Sequence, residues 1–274
     1  ARPVPAARGT ETLGCMSALD LPLNLSHLLL LSASALGAGA LNAIAGGGSF
    51  LTFPALVWTG LPPIVANATS AVAVSPGYLG SALGFRRELA ELPAARRHAE
   101  ALICALGGLA GAGLLLVTPA RLFSAAVPWL LLFATVLFAL GPRLVAARRA
   151  RDASMSAPSS SSASLRVQRL GLFAVAVYGG YFNGGLGILL MALYTLTGES
   201  SLNTANALKN LNSLVLSLLS VAAFAWAGAV AWPQALVMMV AATLGGFIGA
   251  RLARRLPAAW VRTGVVLTGL AMTA

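Results

Sequence analysis

Lys209 is the only lysine in the chain, and it lies inside the apolar run Leu202–Gly228. A charge within an apolar span is costly and marks a functional position more often than a structural one. Asn206, Lys209 and Asn210 follow an i, i+3, i+4 spacing, which puts them on one face of a helix. The first half of the chain holds a related polar set, Asn67, Thr69 and Ser70, inside the apolar run Ile64–Phe85. Two glycine clusters add a second kind of chemistry. These are Gly46-Gly47-Gly48 after Asn42, and Gly184-Gly185-Leu186-Gly187 after Asn183. A helix broken at such a place exposes backbone N–H groups with partial positive charge, able to hold an anion. Glycine allows the close approach and the unusual backbone angles. Asn42 and Asn183 are placed to brace the breaks by hydrogen bonding to freed backbone groups. The competing use of small residues is close helix packing, and that is the expected role of Gly107-Gly108/Gly111 and Gly245-Gly246/Gly249. A snorkelling Lys209 is the structural alternative to an anion site.

Other chemistry is missing. No metal-ligand cluster, H-E-x-x-H or G-x-S-x-G motif occurs. No Asp or Glu falls within the apolar runs, taken as Leu25–Ala45, Ile64–Phe85, Ala101–Val117, Val127–Gly141, Leu170–Phe182 and the runs beyond. A carboxylate proton relay is therefore not expected, and neither an enzyme nor a cofactor is called for. Ion coupling would then run through the substrate's own protonation or through sodium at the breaks.

The elements that position these residues must be membrane helices. The 274 residues are 58% hydrophobic and 9% charged, against about 25% charged in soluble domains. Two cysteines make no disulfide scaffold. The net charge of +11 could suggest nucleic acid, but fourteen of the 18 basic residues sit in three short stretches. These are Arg86–Arg97, Arg143–Arg169 and Arg251–Arg262, with no alternating aromatics. They read as cytoplasmic loops under the positive-inside rule, so no nucleic acid is expected. Residues 1–24 form an N-terminal extension with no signal-peptide pattern. Residues 143–169, with the run Ala157-Pro158-Ser159-Ser160-Ser161-Ser162, are expected to be a flexible cytoplasmic linker.

The flanking segments, 25–142 and 170–274, look like one unit used twice. Asn42 parallels Asn183, Asn67 parallels Asn206, and Gly107-Gly108 parallels Gly245-Gly246, at offsets of 141, 139 and 138. With all three basic loops on one side, Ile64–Phe85 runs inward and Leu202–Gly228 outward, so the repeat is inverted. The five tryptophans lie near span ends, as an interfacial belt would. The expected fold is thus an all-α polytopic membrane protein of about eight or nine helical segments, two inverted repeats with glycine-broken short helices.

At these residues the chain resembles the TauE/SafE family of membrane transporters, the sulfite exporter group. The resemblance rests on Asn42–Leu56, Gly60-Leu61-Pro62, Ala66–Thr69, Asn183–Gly187, Ala205–Asn210, Gly228–Trp232 and Gly249–Pro257. It implies a bacterial inner-membrane carrier for sulfite, a sulfonate or a similar small anion. The expected substrate site comprises Gly46, Gly47, Gly48, Asn67, Thr69, Ser70, Gly184, Gly185, Gly187, Asn206, Lys209 and Asn210. Lipid is the surrounding partner, and a homodimer is compatible with the reading. The other classes in play are a channel-like anion permease and a non-transporting sensor or assembly subunit.

Overall fold

The computed structural model describes residues 24–44, 47–133, 135–136, 140, 162–199 and 201–252. Gly46, most of the Arg143–Arg169 linker, Trp260 and the final apolar run lie outside them. The described residues hold ten helices and no strand. In chain order these are α1 (Leu25–Ile44), α2 (Ser49–Trp58), α3 (Pro63–Gly84), α4 (Arg86–Glu91), α5 (Ala94–Val117) and α6 (Ala120–Phe133). Then come α7 (Ser162–Tyr181), α8 (Leu186–Leu196), α9 (Leu202–Trp226) and α10 (Trp232–Leu252).

Segments within α1, α5 and α9 are long and apolar enough to cross a bilayer: Leu25–Asn42, Ala94–Val117 and Asn203–Trp226. Helix α3 has 22 residues but a more polar sequence. Its residues Val65–Val74 are all buried, so Asn67, Thr69 and Ser70 face protein rather than lipid. The outward faces of the other helices are apolar, with Leu102, Leu106, Leu114 and Val117 of α5 exposed. Such a surface suits lipid and would be untenable in water.

Two boundaries differ from expectation. Helix α7 begins at Ser162 rather than Leu170, and so takes Leu165 and Val167 of the presumed linker into the helix. Helix α5 begins at Ala94 rather than Ala101, and so takes Glu100 into the span. The expectation of no carboxylate within a span is overturned there. A run defined by its apolar residues ends at the first charge, whereas a helix continues through a charge that finds partners.

Apart from the contact of α4 with α9, the main helix contacts map onto one another when the two halves are exchanged. With α1, α2, α3 and α5 matched to α7, α8, α9 and α10, the α1–α10 pairing becomes α7–α5, and α3–α10 becomes α9–α5. The pairs α1–α2, α2–α3 and α1–α3 likewise map onto α7–α8, α8–α9 and α7–α9. Helix α3 packs on its own counterpart α9. Each half thus clasps the other.

Contact register gives the helix directions. Glu100 meets Asn212, and Gly108 meets Leu216 and Ser220, so α5 and α9 are parallel. Gly107 lies against Ala176, and Gly111 against Tyr181, which makes α7 parallel to α5 as well. The Thr69 hydroxyl reaches Ala231, in the turn beyond the end of α9, and Ser75, later in α3, reaches Ser217 within α9, so α3 is antiparallel to α9. Equivalent helices of opposite direction define an inverted repeat. Arg86, Arg87, Arg96, Arg97, Arg166, Arg169 and Arg251 then gather at one end, while Arg121, beyond the far end of α5, stands at the other.

The short helices are return strokes. Helix α7, 20 residues and ~30 Å long, leaves the arginine-rich end. Helix α8, only 11 residues and ~16 Å, brings the chain back, with Tyr194 at Glu100 and Glu199 at Arg96. The turn Phe182–Gly185 is level with Gly111 of α5, inside the span. Helices α7 and α8 therefore form a re-entrant hairpin, and the α1–α2 pair is its counterpart from the opposite end.

Candidate functional site

The tips of the two hairpins meet near Tyr78 of α3. Its buried hydroxyl donates to Asn183 Oδ1 at 3.4 Å, and the Asn42 amide lies beside the preceding residue, 3.7 Å from where a Gly77 Cβ would stand. Asn42, in the last turn of α1, and Asn183, two residues past α7, thus come together beside Tyr78 at the contact between the halves. Irregular backbone at this depth must be satisfied by protein or face a wet cavity.

The two tips are built differently. In the first, Asn42 Oδ1 accepts the Gly48 N–H at 3.2 Å. Gly48 has right-handed helical angles, and its absent side chain makes room for the Ala38 carbonyl oxygen, 2.7 Å from where a Cβ would stand. In the second, Gly185 has φ +77°, a left-handed conformation that favours glycine. The Tyr178 hydroxyl donates to the Gly184 carbonyl at 2.9 Å. Among the described residues, no backbone acceptor takes the N–H groups of Gly184, Gly185 or Gly187. All three glycines are buried. Donors of this kind at the start of α8 form a ready anion cradle.

The α3 polar residues are engaged with protein. Asn67 Nδ2 donates to the Tyr181 carbonyl at 3.1 Å, tying α3 to the last turn of α7. Thr69 Oγ1 accepts the Ala231 N–H at 3.0 Å. The Ser70 and Thr52 hydroxyls lie 2.6 Å apart, joining α3 to α2.

The α9 set is more open. Asn206 is partly buried and has a partner. Lys209 is partly buried and makes no hydrogen bond or ion pair with any described residue. Asn210, 6% exposed, has no hydrogen-bond partner among them either. The polar face continues along α9 through Ser213, Ser217 and Ser220, each at most 2% exposed. Ser213 Oγ is buried without a partner. Among the described residues, no hydrogen bond joins Lys209 or Asn210 to either hairpin tip. The structure joins Asn42 to Gly48, Asn183 to Tyr78 and Gly184 to Tyr178, and leaves the α9 residues as a separate stripe. Gly47 is buried beside Gly48.

Tyr78 and Tyr178 were not among the expected residues. The available signal was a phenol placed within an apolar run, one residue after Gly77 in the first case and one before Gly179 in the second. The paired small-residue motifs have the packing role expected of them. A Cβ on Gly245 would overlap the Leu36 carbonyl, and one on Gly111 the Val177 carbonyl. Among the described residues, no group of three or more His, Cys, Asp or Glu side chains could hold a metal ion.

The sulfite exporter TauE/SafE family model matches residues 31–274. A "probable membrane transporter protein" of Haemophilus influenzae is 31% identical over 247 residues, covering 86% of this chain and 89% of its own. The "probable membrane transporter protein ORF9" of a Sinorhizobium species is 28% identical, covering 90% and 91%. The "probable membrane transporter protein YfcA" of Escherichia coli K12 is 27% identical, covering 86% and 84%. No solved structure matches. With its helices ordered as two inverted hairpin-bearing halves and its sequence matched almost throughout, the chain belongs to the sulfite exporter TauE/SafE family and is a multi-pass membrane transporter.

Proposed function

We propose that the protein is an alternating-access carrier for a small anion, such as sulfite, a sulfonate or a related organic oxyanion, in a bacterial inner membrane. The observation that supports this most directly is Lys209, a cation within the α9 span that no described residue neutralises. Lys209 lies ~10 Å from the start of α9, and a bound anion would offset the cost of holding its charge within the span. The amides of Gly184, Gly185 and Gly187, with Asn206 and Asn210, supply neutral donors of the kind an oxyanion accepts. The tips, through Gly46–Gly48, Asn42 and Asn183, would shape the site and move with it, and Asn67, Thr69 and Ser70 would hold α3 against them. The arginine-rich end, with the central linker, is placed on the cytoplasmic side by the positive-inside rule. The sulfur-anion class comes from the family's description.

The test is thermal unfolding of the purified protein with sulfite, sulfate, taurine and sulfoacetate in turn. A bound anion at a hundred times its Kd should stabilise by about 2.7 kcal/mol, a shift of several degrees. Lys209→Ala should abolish that shift. If no anion stabilises the protein and Lys209→Ala changes nothing, the site is wrong. Counterflow in proteoliposomes would separate a carrier from a channel.

A further inference from the structure

Glu100 is a buried carboxylate that the anion site does not use. It is 6% exposed and lies about 9 Å along α5 from the start of that helix. Four donors from four helices converge on it. Arg96 Nε of α5 donates to Oε1 at 2.9 Å, and Gln168 Nε2 of α7 at 3.5 Å. The Tyr194 hydroxyl of α8 donates to Oε2 at 2.7 Å, and Asn212 Nδ2 of α9 at 3.2 Å. Asn212 Nδ2 also bonds to the Tyr194 oxygen. Arg96 reaches on to Glu199, beyond α8, at 3.0 Å. Cys104, one turn along α5, completes the titratable groups around it. No hydrogen bond or ion pair joins Glu100 to Arg97, His98 or Lys209.

Two features mark this cluster as more than packing. The positions equivalent to Glu100, Tyr194 and Asn212 in the other half, at offsets of 138, 141 and 139, are Met238, Phe53 and Ala73. All three are buried, at 0%, 2% and 0% exposure. The carboxylate, the phenol and the amide thus have apolar counterparts at the other end, where the counterpart of Arg96 is the buried Gln234. Second, Asn212 Oδ1 is fully buried with no partner, on the very amide that touches the carboxylate. It is a vacant acceptor on a residue that touches a group already surrounded by donors. Turning the amide over lets Oδ1 take a Glu100 O–H.

We propose that Glu100 is a proton-binding site, and that the proton it takes from the aqueous phase releases α5, α7, α8 and α9 from one another at the arginine-rich end. Hydrogen bonds to an ionised acceptor are roughly twice as strong as neutral ones. The ionised carboxylate therefore grips all four helices, while the protonated acid gives up most of its hold on Arg96 and Tyr194. By linkage, protonation favours separation and separation favours protonation. Proton movement is thereby tied to access from this end. The inference rests on the carrier reading in that the helices must part, but not on the substrate.

Cys104, 0% exposed, is a built-in reporter. In a Cys15→Ser background it is the only thiol. Its reaction with dithiodipyridine, which attacks thiols at acid and neutral pH, is followed in proteoliposomes between about pH 5 and pH 8 and compared with a free thiol. The expected wild-type result is slow labelling at the upper limit and about tenfold faster labelling at the lower, within the usual range of coupling factors. Glu100→Gln should label fast throughout, without pH dependence. Tyr194→Phe should label faster than wild type near neutrality and keep its pH dependence, so the proposal remains testable if Glu100→Gln fails to assemble. A flat wild-type profile overturns it, as does wild-type pH dependence in Glu100→Gln. Acceleration by sodium at fixed pH would overturn it in favour of a sodium site. No anion is present, so a failed anion assay and a failed proton assay are separate results.

Discussion

Asn42 and Tyr78 carry side chains of opposite habit, and each does at the hairpin tips what its functional group permits. An asparagine oxygen can accept a backbone N–H that a broken helix leaves over, and Asn42 does so for Gly48. A phenol can reach farther, and Tyr78 spans to Asn183 of the other half. Asn42→Ala should leave the buried Gly48 N–H without its acceptor, at a cost of about 1–3 kcal/mol. A melting temperature lowered by several degrees in detergent is the expected result, and an unchanged one would show the bond to be dispensable. Tyr78→Phe keeps the ring and its packing but loses the hydrogen bond from α3 to the second tip at Asn183. It should slow transport by more than it lowers the melting temperature.

Small residues at the helix crossings set how closely the halves approach. Gly180 of α7 and Gly108 of α5 meet backbone to backbone, as do Gly39 of α1 and Gly246 of α10, their counterparts under exchange. Adding one methyl at Gly111 would drive it into the Val177 carbonyl, and overpacking of this kind costs about 1–3 kcal/mol. Gly113, two residues on, faces open space with no atom within 4 Å of where its Cβ would stand. Gly113→Ala should stabilise α5 by up to about 1 kcal/mol through helix propensity. Thermal scans of the two variants should therefore move in opposite directions, and parallel shifts would mean that the α5–α7 crossing is not tight. These crossings were readable in the chain because spaced glycines have few other uses in an apolar helix. The breaks at Asn42 and Asn183 were readable for a similar reason, as were the opposed halves, since arginines sort by side. The clasp at Glu100 was not. Its partners, Gln168, Tyr194 and Asn212, are ordinary polar residues scattered over three other helices, and only the fold brings them together. Nor could the spent state of Thr69 and Ser70 be foreseen, because a hydroxyl's partner is chosen by the neighbouring helix.

At the scale of the whole molecule, the exchange of halves and the distribution of charge make one joint statement about the bilayer. The seven arginines at one end come from the start of α4 just past α3, the starts of α5 and α7 and the end of α10, while Arg121 is the counterexample at the other. Trp58, Trp226 and Trp232 are exposed at helix ends remote from the arginines, at 80%, 94% and 47%. An interfacial belt places aromatic rings in this way at the headgroup level. If the halves are inverted, the α9–α10 turn must open on the tryptophan side and the central linker on the arginine side. Single cysteines at Ala227, exposed in that turn, and at Ala157, in the linker, decide the matter in a cysteine-free background. With an impermeant maleimide on intact cells, Ala227→Cys should be labelled and Ala157→Cys should not. In inside-out vesicles the pattern should reverse. Labelling of both from the same face would place the two basic stretches on opposite sides and remove the inversion, and with it the reason for the two hairpin tips to enter from opposite ends and meet at Tyr78.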